Sequence, residues 1–286
     1  MAAFSTVGPA TMGGLPSGRC LVMGVINVTP DSFSDGGKWL DAKTAIAHGI
    51  DLVAGGADIV DVGGESTRPG ALRIDADEEL RRVIPVVKAL AAEGIPISVD
   101  TMRAAVAQQS LDAGAMIIND VSGGRADPDM FGVAARAGMP LVLMHWREHS
   151  QTMQNNTRYD DVVADVVAEL RLQIDAAREA GIADNNLILD PGLGFSKTGE
   201  QNWIVLKHLD TFAALGYPLL VAASRKRFLG ELLADGDTFR PTDEREAATV
   251  ALSTIAAEHG AWCVRVHEPA ATSDAVRVIA RLRSET

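Results

Sequence analysis

Residues 59–99 read IVDVGGESTRPGALRIDADEELRRVIPVVKALAAEGIPISV. The stretch opens on a short apolar run, Ile59–Val62, and crosses a loop bearing Gly63 and Gly64. It then enters Asp75–Glu93, which begins with acids and stops before Gly94, as the helix dipole favours. A second apolar run, Pro96–Val99, follows at once.

The same unit recurs outward in both directions. Further strands are expected at Cys20–Val28, Met116–Asn119, Pro140–Met144, Leu187–Leu189, Leu219–Ala222 and Trp262–Val266, which makes eight with the two above. They are short and rich in Val, Ile and Leu, as strands buried on both faces should be. Between them, Asp41–Ala54 places Ala45, Ile46, Ile50, Val53 and Ala54 at helical spacing and meets Gly55 as a C-terminal cap. Tyr159–Ala180, Glu244–His259 and Ser273–Arg283 read as further helices. Eight strand–helix repeats predict a (β/α)8 TIM barrel, with a doubly wound open sheet as the rival architecture.

No linker, low-complexity segment or long charge run interrupts Cys20–Arg283, so residues 19–286 are expected to form one domain. Residues 1–18 are rich in Gly, Ala, Ser, Thr and Pro and lack the charged and apolar regions of a signal peptide. They are expected to form a short disordered N-terminal tail. The formal net charge of −12 argues against nucleic-acid or membrane-surface partners, which call for a basic face. No apolar run reaches the ~18 residues of a membrane span. The two cysteines, Cys20 and Cys263, lie in apolar runs and are expected to be buried thiols. Such sparse cysteine usage fits a reducing, cytoplasmic compartment.

In a barrel of this kind, chemistry sits at the C-terminal ends of the strands. Those ends carry Asn27, Thr29, Asp31 and Asp35, then Glu65, Ser66, Thr67 and Arg68, then Asp100, then Asn119 and Asp120. His145, Asp190 with Phe195 and Lys197, Ser224 with Arg225, Lys226 and Arg227, and finally Arg265 and His267 complete the circuit. One aspartate at a strand end often caps the next helix. Polar residues at all eight ends are harder to explain that way.

The set is also sorted by chemistry. Asp100, Asn119, Asp190 and Lys226 suit a neutral heterocycle with an amidine-like edge, because carboxylates accept paired N–H donors and lysine meets ring acceptors. Arg68, Arg265 and His267, with Asn27 nearby, suit a phosphate or pyrophosphate. The glycines of Asp35-Gly36-Gly37 and Gly63-Gly64 serve either tight turns or a mobile lid.

Three familiar patterns fail on inspection. Gly194–Gly199 (GFSKTG) has the composition of a P-loop, but its lysine does not follow the final glycine. His145-Trp146-Arg147-Glu148-His149 spells a zinc pattern that requires a helix, yet it follows directly on a strand. His145 is therefore expected to be structural or to edge a pocket. No nucleophile-elbow sequence is present.

The run Met23–Gly37, MGVINVTPDSFSDGG, resembles the first signature of the dihydropteroate synthases, and Asp61–Gly70, DVGGESTRPG, resembles the second. Ser98–Thr101, Ile118–Asp120, Leu189–Gly192, Ser224–Lys226 and Val264–His267 match in the same order. The resemblance spans nearly all of Leu21–Arg283, and its details are closest to actinobacterial members. It implies a barrel, a homodimer and sulfonamide competition. It also implies Mg²⁺-assisted condensation of 6-hydroxymethyl-7,8-dihydropterin pyrophosphate with p-aminobenzoate.

By resemblance, Asp100, Asn119, Asp190 and Lys226 contact the pterin. Asn27, Arg68, Arg265 and His267 contact pyrophosphate, with Asn27 also near the metal. Phe33, Thr67, Pro69, Phe195 and the Lys226–Arg227 segment face p-aminobenzoate. Asp100, Lys226, Arg265 and His267 form the catalytic set. Arg227 stands where many members carry Ser, and Trp146 where Met is common. Two other functions share the barrel: a pterin-binding methyltransferase domain and a non-catalytic pterin-binding paralogue.

Overall fold

The strands are buried along almost their whole length, so every second side chain must face the barrel interior and the others the surrounding helices. They are β1 (Leu21–Asn27), β2 (Ile59–Gly63), β3 (Ile97–Asp100), β4 (Ile117–Asp120), β5 (Leu141–Met144), β6 (Leu187–Asp190), β7 (Leu220–Val221) and β8 (Cys263–Val266). The computed structural model describes Pro9, Met12 and residues 14–28, 38–66, 73–149 and 152–284; the side chains of residues 38–41 and 154 lie outside that description.

All paired strands are parallel, in the order β6-β5-β4-β3-β2-β1-β8-β7. A parallel bridge between Leu189 and Leu219 joins the two outer strands. With the bond from Leu189 N to Pro218 O, 2.9 Å, it closes the sheet into a barrel. The open-sheet rival is thereby removed.

Among the described residues, nine helices lie in the crossovers and a tenth follows β8: α1 (Lys38–Ala54), α2 (Ala76–Ala92), α3 (Ala104–Asp112), α4 (Met130–Ala137), α5 (Val162–Glu179), α6 (Gly199–Lys207), α7 (Leu209–Ala213), α8 (Arg227–Leu232), α9 (Glu246–Glu258) and α10 (Pro269–Arg283). Local chemistry explains where they begin. Asp75 caps α2 by accepting from Glu78 N, and Asp161 caps α5 by accepting from Val163 N and Ala164 N. That cap starts α5 three residues later than the periodicity at Tyr159 suggests. α10 instead starts early, at Pro269 rather than Ser273, because proline is suited to a helix's first turn. Short α3, α4, α6, α7 and α8 were not evident from periodicity.

The interior has two floors. At the strand beginnings Leu21, Met23, Ile59, Ile117, Val142, Ile188, Leu220 and Cys263 pack together with Trp262. Met12 is buried against this floor and Leu15 packs on it. Most of the remaining expected tail, residues 1–18, lies outside the described residues. Cys20 and Cys263 are buried free thiols, and burial pushes the Cys20 thiol up to about 12. No helix among the described residues is long and apolar enough to cross a membrane.

Candidate active site

Two residues further along the same strands, the interior turns polar and opens into a cavity of about 530 Å³. Asn27, Asp100, Asn119, Asp190, Phe195, Lys197, Lys226, Arg227, Arg265 and His267 line it, with Val25, Val121, Met144 and Ala222 as apolar wall. Of the residues expected to contact substrate, Asn27, Asp100, Asn119, Asp190, Phe195, Lys226, Arg227, Arg265 and His267 thus lie around one cavity. Phe33, Thr67, Arg68 and Pro69, with Thr29, Asp31 and Asp35, lie outside the described residues.

At the base of the cavity sits Asp61, which the reading of strand ends missed. It is fully buried at the centre of β2. Its Oδ2 accepts from Arg265 Nε at 2.6 Å and from Asn119 Nδ2 at 3.0 Å. Arg265 Nη2 donates to Asp100 Oδ2 at 2.8 Å, so one guanidinium bridges two carboxylates. Burial works against the Arg265 cation, but Asp61 and Asp100 outweigh it and hold the group firmly charged. Burial raises the Asp100 carboxyl to about 7; Arg265 opposes this, and Asp61 adds to it. Asp61 Oδ1 is buried without a hydrogen-bond partner. Such an atom is costly in a dry site and marks an acceptor available to a water or a ligand donor.

Across the cavity, Asp190 is likewise raised by burial, with Lys226 and the Gly192 N–H opposing. Gly192 N donates to Asp190 Oδ1 at 2.7 Å. Burial lowers the Lys226 ammonium to about 8 against the pull of Asp190. Lys226 Nζ donates to the Leu193 carbonyl and stands 5.0 Å from the centroid of the Phe195 ring. His267 Nδ1 pairs with Ser224 Oγ at 2.8 Å. Two carboxylates, an amide and an ammonium therefore converge on one enclosed space, which suits a polar heterocycle, and Arg265 and His267 add donors for an anion.

Other expectations resolve differently. Asp120 is not part of the cavity wall. It accepts from Ser122 N, Ser122 Oγ and Gly124 N, and so builds the turn after β4. Arg227 is at the rim, paired with Glu231 at 3.0 Å and 5.3 Å from the Phe239 ring centroid. Arg225 adopts a left-handed φ of 58° and bonds Glu246 and Glu268. His145 is completely buried, with Nδ1 toward Lys197 and Nε2 toward Glu169, so the H-x-x-E-H stretch is no metal site. Among the described residues, no group of three or more His, Cys, Asp or Glu is arranged to hold a metal ion.

A barrel with a polar-heterocycle pocket at its C-terminal mouth is what a pterin-binding enzyme requires. The chain belongs to that family: the pterin binding enzyme pattern matches residues 23–267. Its relatives make the assignment more particular. A dihydropteroate synthase of Mycobacterium leprae is 55 % identical over 260 residues, covering 90 % of this chain and 92 % of that protein. One from Bacillus subtilis is 46 % identical, covering 87 % and 84 %. Among solved structures, the Yersinia pestis dihydropteroate synthase with a sulfonamide drug superposes with a TM-score of 0.89 at 40 % identity, covering 98 % of this chain and 100 % of that one. The Xanthomonas albilineans enzyme in complex with 7,8-dihydropteroate gives 0.86 at 41 % identity, covering 97 % and 99 %.

Proposed function

We propose that this chain is a dihydropteroate synthase, a transferase that joins 6-hydroxymethyl-7,8-dihydropterin pyrophosphate to p-aminobenzoate, giving 7,8-dihydropteroate and pyrophosphate. The observation that carries the reading is the buried ring of Asp100, Asn119, Asp190 and Lys226 around one cavity, with Arg265 locked between Asp61 and Asp100. Residues 19–286 act as one catalytic domain.

The carboxylates and amide of the ring accept and donate along the pterin edge, and Lys226 meets a ring acceptor. The bond between the pterin methylene carbon and the pyrophosphate oxygen breaks, and its electron pair leaves with pyrophosphate. The electron-rich dihydropterin delocalises the resulting positive charge. Asp100 and Asp190 favour that cation, while Arg265 and His267, with Asn27 and Arg68, offset the charge growing on pyrophosphate. The aniline nitrogen of p-aminobenzoate, placed between Phe195 and the Lys226–Arg227 segment with Phe33, Thr67 and Pro69, then bonds to the carbon. Its surplus proton passes to water or pyrophosphate, and no covalent enzyme intermediate forms.

The donor chemistry fits Mg²⁺. The Asn27 amide oxygen is a hard ligand at the cavity wall, and Mg²⁺ commonly takes few protein ligands, keeping waters and phosphate oxygens. Asn27 would hold such an ion, which supplies charge neutralisation on pyrophosphate. A homodimer and a cytoplasmic location belong to the same reading. Exposed Ile255 on α9 with Val278 and Leu282 on α10 supports self-association; a solution mass of one 30.2 kDa chain would remove the dimer.

The test is pyrophosphate release. A mixture of the two substrates should release it only when both are present. A pterin-binding methyltransferase or a non-catalytic paralogue would bind pterin and release none.

A further inference from the structure

The arch between β6 and α6 is held more tightly than its glycines suggest. Ser196 takes a left-handed φ of 46°, a conformation unfavourable for a residue with a side chain. On either side of it, two consecutive carbonyls are clasped. Lys197 Nζ donates to the Phe195 carbonyl at 3.2 Å, and Tyr159 Oη donates to the Ser196 carbonyl at 2.9 Å.

Lys197 is itself anchored. It is 2 % exposed. Its Nζ reaches the Gly192 carbonyl at 3.0 Å and His145 Nδ1 at 2.9 Å. When protonated, its ammonium has one hydrogen for each of these three acceptors, the Phe195 and Gly192 carbonyls and His145 Nδ1. Burial pushes His145 down to about 3, so its ring is neutral. Nδ1 then accepts from Lys197, and Nε2–H donates to Glu169 at 3.0 Å. Arg147 holds Glu169 from the other side and lies 3.8 Å from the centroid of the Tyr159 ring. The two clasps thus share one anchored network. The arch also sits hard against the residue that follows β5: a Cβ on Gly192 would lie 2.3 Å from the His145 carbonyl oxygen.

What the clasped backbone offers to the cavity is the Phe195 ring, beside Lys226. We propose that Lys197 and Tyr159 are positioning residues for the aromatic second substrate: together they fix the arch so that Phe195 forms that substrate's wall. The inference rests on the proposed synthase activity. Neither residue needs to touch the substrate, since both act through the backbone at residues 195 and 196.

The test compares Tyr159→Phe, which removes one hydroxyl and keeps the ring beside Arg147, with Lys197→Met, which removes the ammonium. Steady-state pyrophosphate release and pterin binding by calorimetry are measured for both, with melting curves to confirm folding. Loss of one net hydrogen bond from the arch should raise KM for p-aminobenzoate about 3- to 10-fold in Tyr159→Phe, with pterin affinity and kcat within about twofold. Lys197→Met should raise the same KM further, and by more than it weakens pterin binding. Release unaffected by the tyrosine change, or a matching loss of pterin affinity, overturns the clasp. No release from the unaltered chain overturns the synthase activity instead, and with it the second-substrate role.

Discussion

Ile59 and Asp61, Ile117 and Asn119, Ile188 and Asp190, and Cys263 and Arg265 are pairs two residues apart on shared strands. Side chains alternate along a strand, so each pair faces the same interior, separated by about 7 Å of rise. The lower member joins an apolar plug with Met12 and Trp262; the upper member joins a network of charges. Ile59 and Asp61 are equally buried, both at 0 % exposure. The difference teaches that burial alone does not mark a position as structural. Apolar packing on the lower floor supports a layer whose charges are costly to bury and persist because they are paired.

The largest break in this comparison should come from Asp61→Ala. It leaves Arg265 Nε and Asn119 Nδ2 without their buried acceptor. Breaking a buried ion pair by removing one partner costs about 3–5 kcal/mol, readable as a fall in the urea midpoint at unchanged slope. An unchanged midpoint would show that Asp61 is not what compensates Arg265.

Asp190→Asn should follow, acting on binding and not on the fold. The amide oxygen can still accept from Gly192 N, so the arch stays in place. Its NH₂ faces a pterin edge that also donates, and losing a charged hydrogen-bond partner costs about 1.5–3 kcal/mol. Calorimetry that finds near-normal pterin affinity would remove Asp190 from the pterin contacts.

How much of this was legible in the sequence follows from the same two floors. The barrel was readable because strands buried on both faces must be short apolar runs. Asp100, Asn119 and Asp190 were readable because each sits at or next to the last residue of such a run. Asp61 was not, because it lies two residues before the end of β2, opposite Ser98 and Val25. Only the arrangement of neighbouring strands brings it to Arg265 and Asn119. A lone acid inside IVDVG was the available signal. Glu169 was invisible for another reason: on α5 it reads as one more solvated helix charge, and its bond to His145 spans 24 residues. The short α3, rich in alanine, carried too little periodicity to be seen.

A pH series sharpens the comparison at the upper floor. Burial lowers Lys197 to about 7, from 10.5; Asp190 and Glu169 favour its charge, Lys226 and Arg147 oppose it, and His145 is neutral. Above about pH 7 the folded chain loses this proton while the unfolded chain keeps it to about 10.5. The unfolded state then binds more protons, so this group's contribution to stability rises with pH in that window. The clasp on the arch moves the other way, because a neutral amine has one donor fewer. KM for p-aminobenzoate should therefore climb about threefold or more between about pH 7 and about pH 9. Lys197→Met should flatten that climb and remove the stability gain. A climb of equal size in the variant would assign the titration to another group.

The smallest effect is expected on the lower floor, from Ile59→Val. One methyl leaves a fully buried site, which typically costs about 0.5–1.5 kcal/mol. Ile59 packs with Met23, Leu21 and Ile117, all apolar, and no hydrogen bond depends on it. If the two floors are energetically separate, the loss appears in unfolding alone, with both KM values and kcat unchanged. The position is a severe test of separation, because Ile59 stands one inward step below Asp61 on the same strand. A backbone shift that reached Asp61 would disturb Arg265 and Asn119 together, through bonds of 2.6 and 3.0 Å. Pterin affinity would then fall along with stability. Stability lost at constant affinity shows that the apolar floor supports the polar one without tuning it, whereas a coupled loss shows that pocket geometry is set from below.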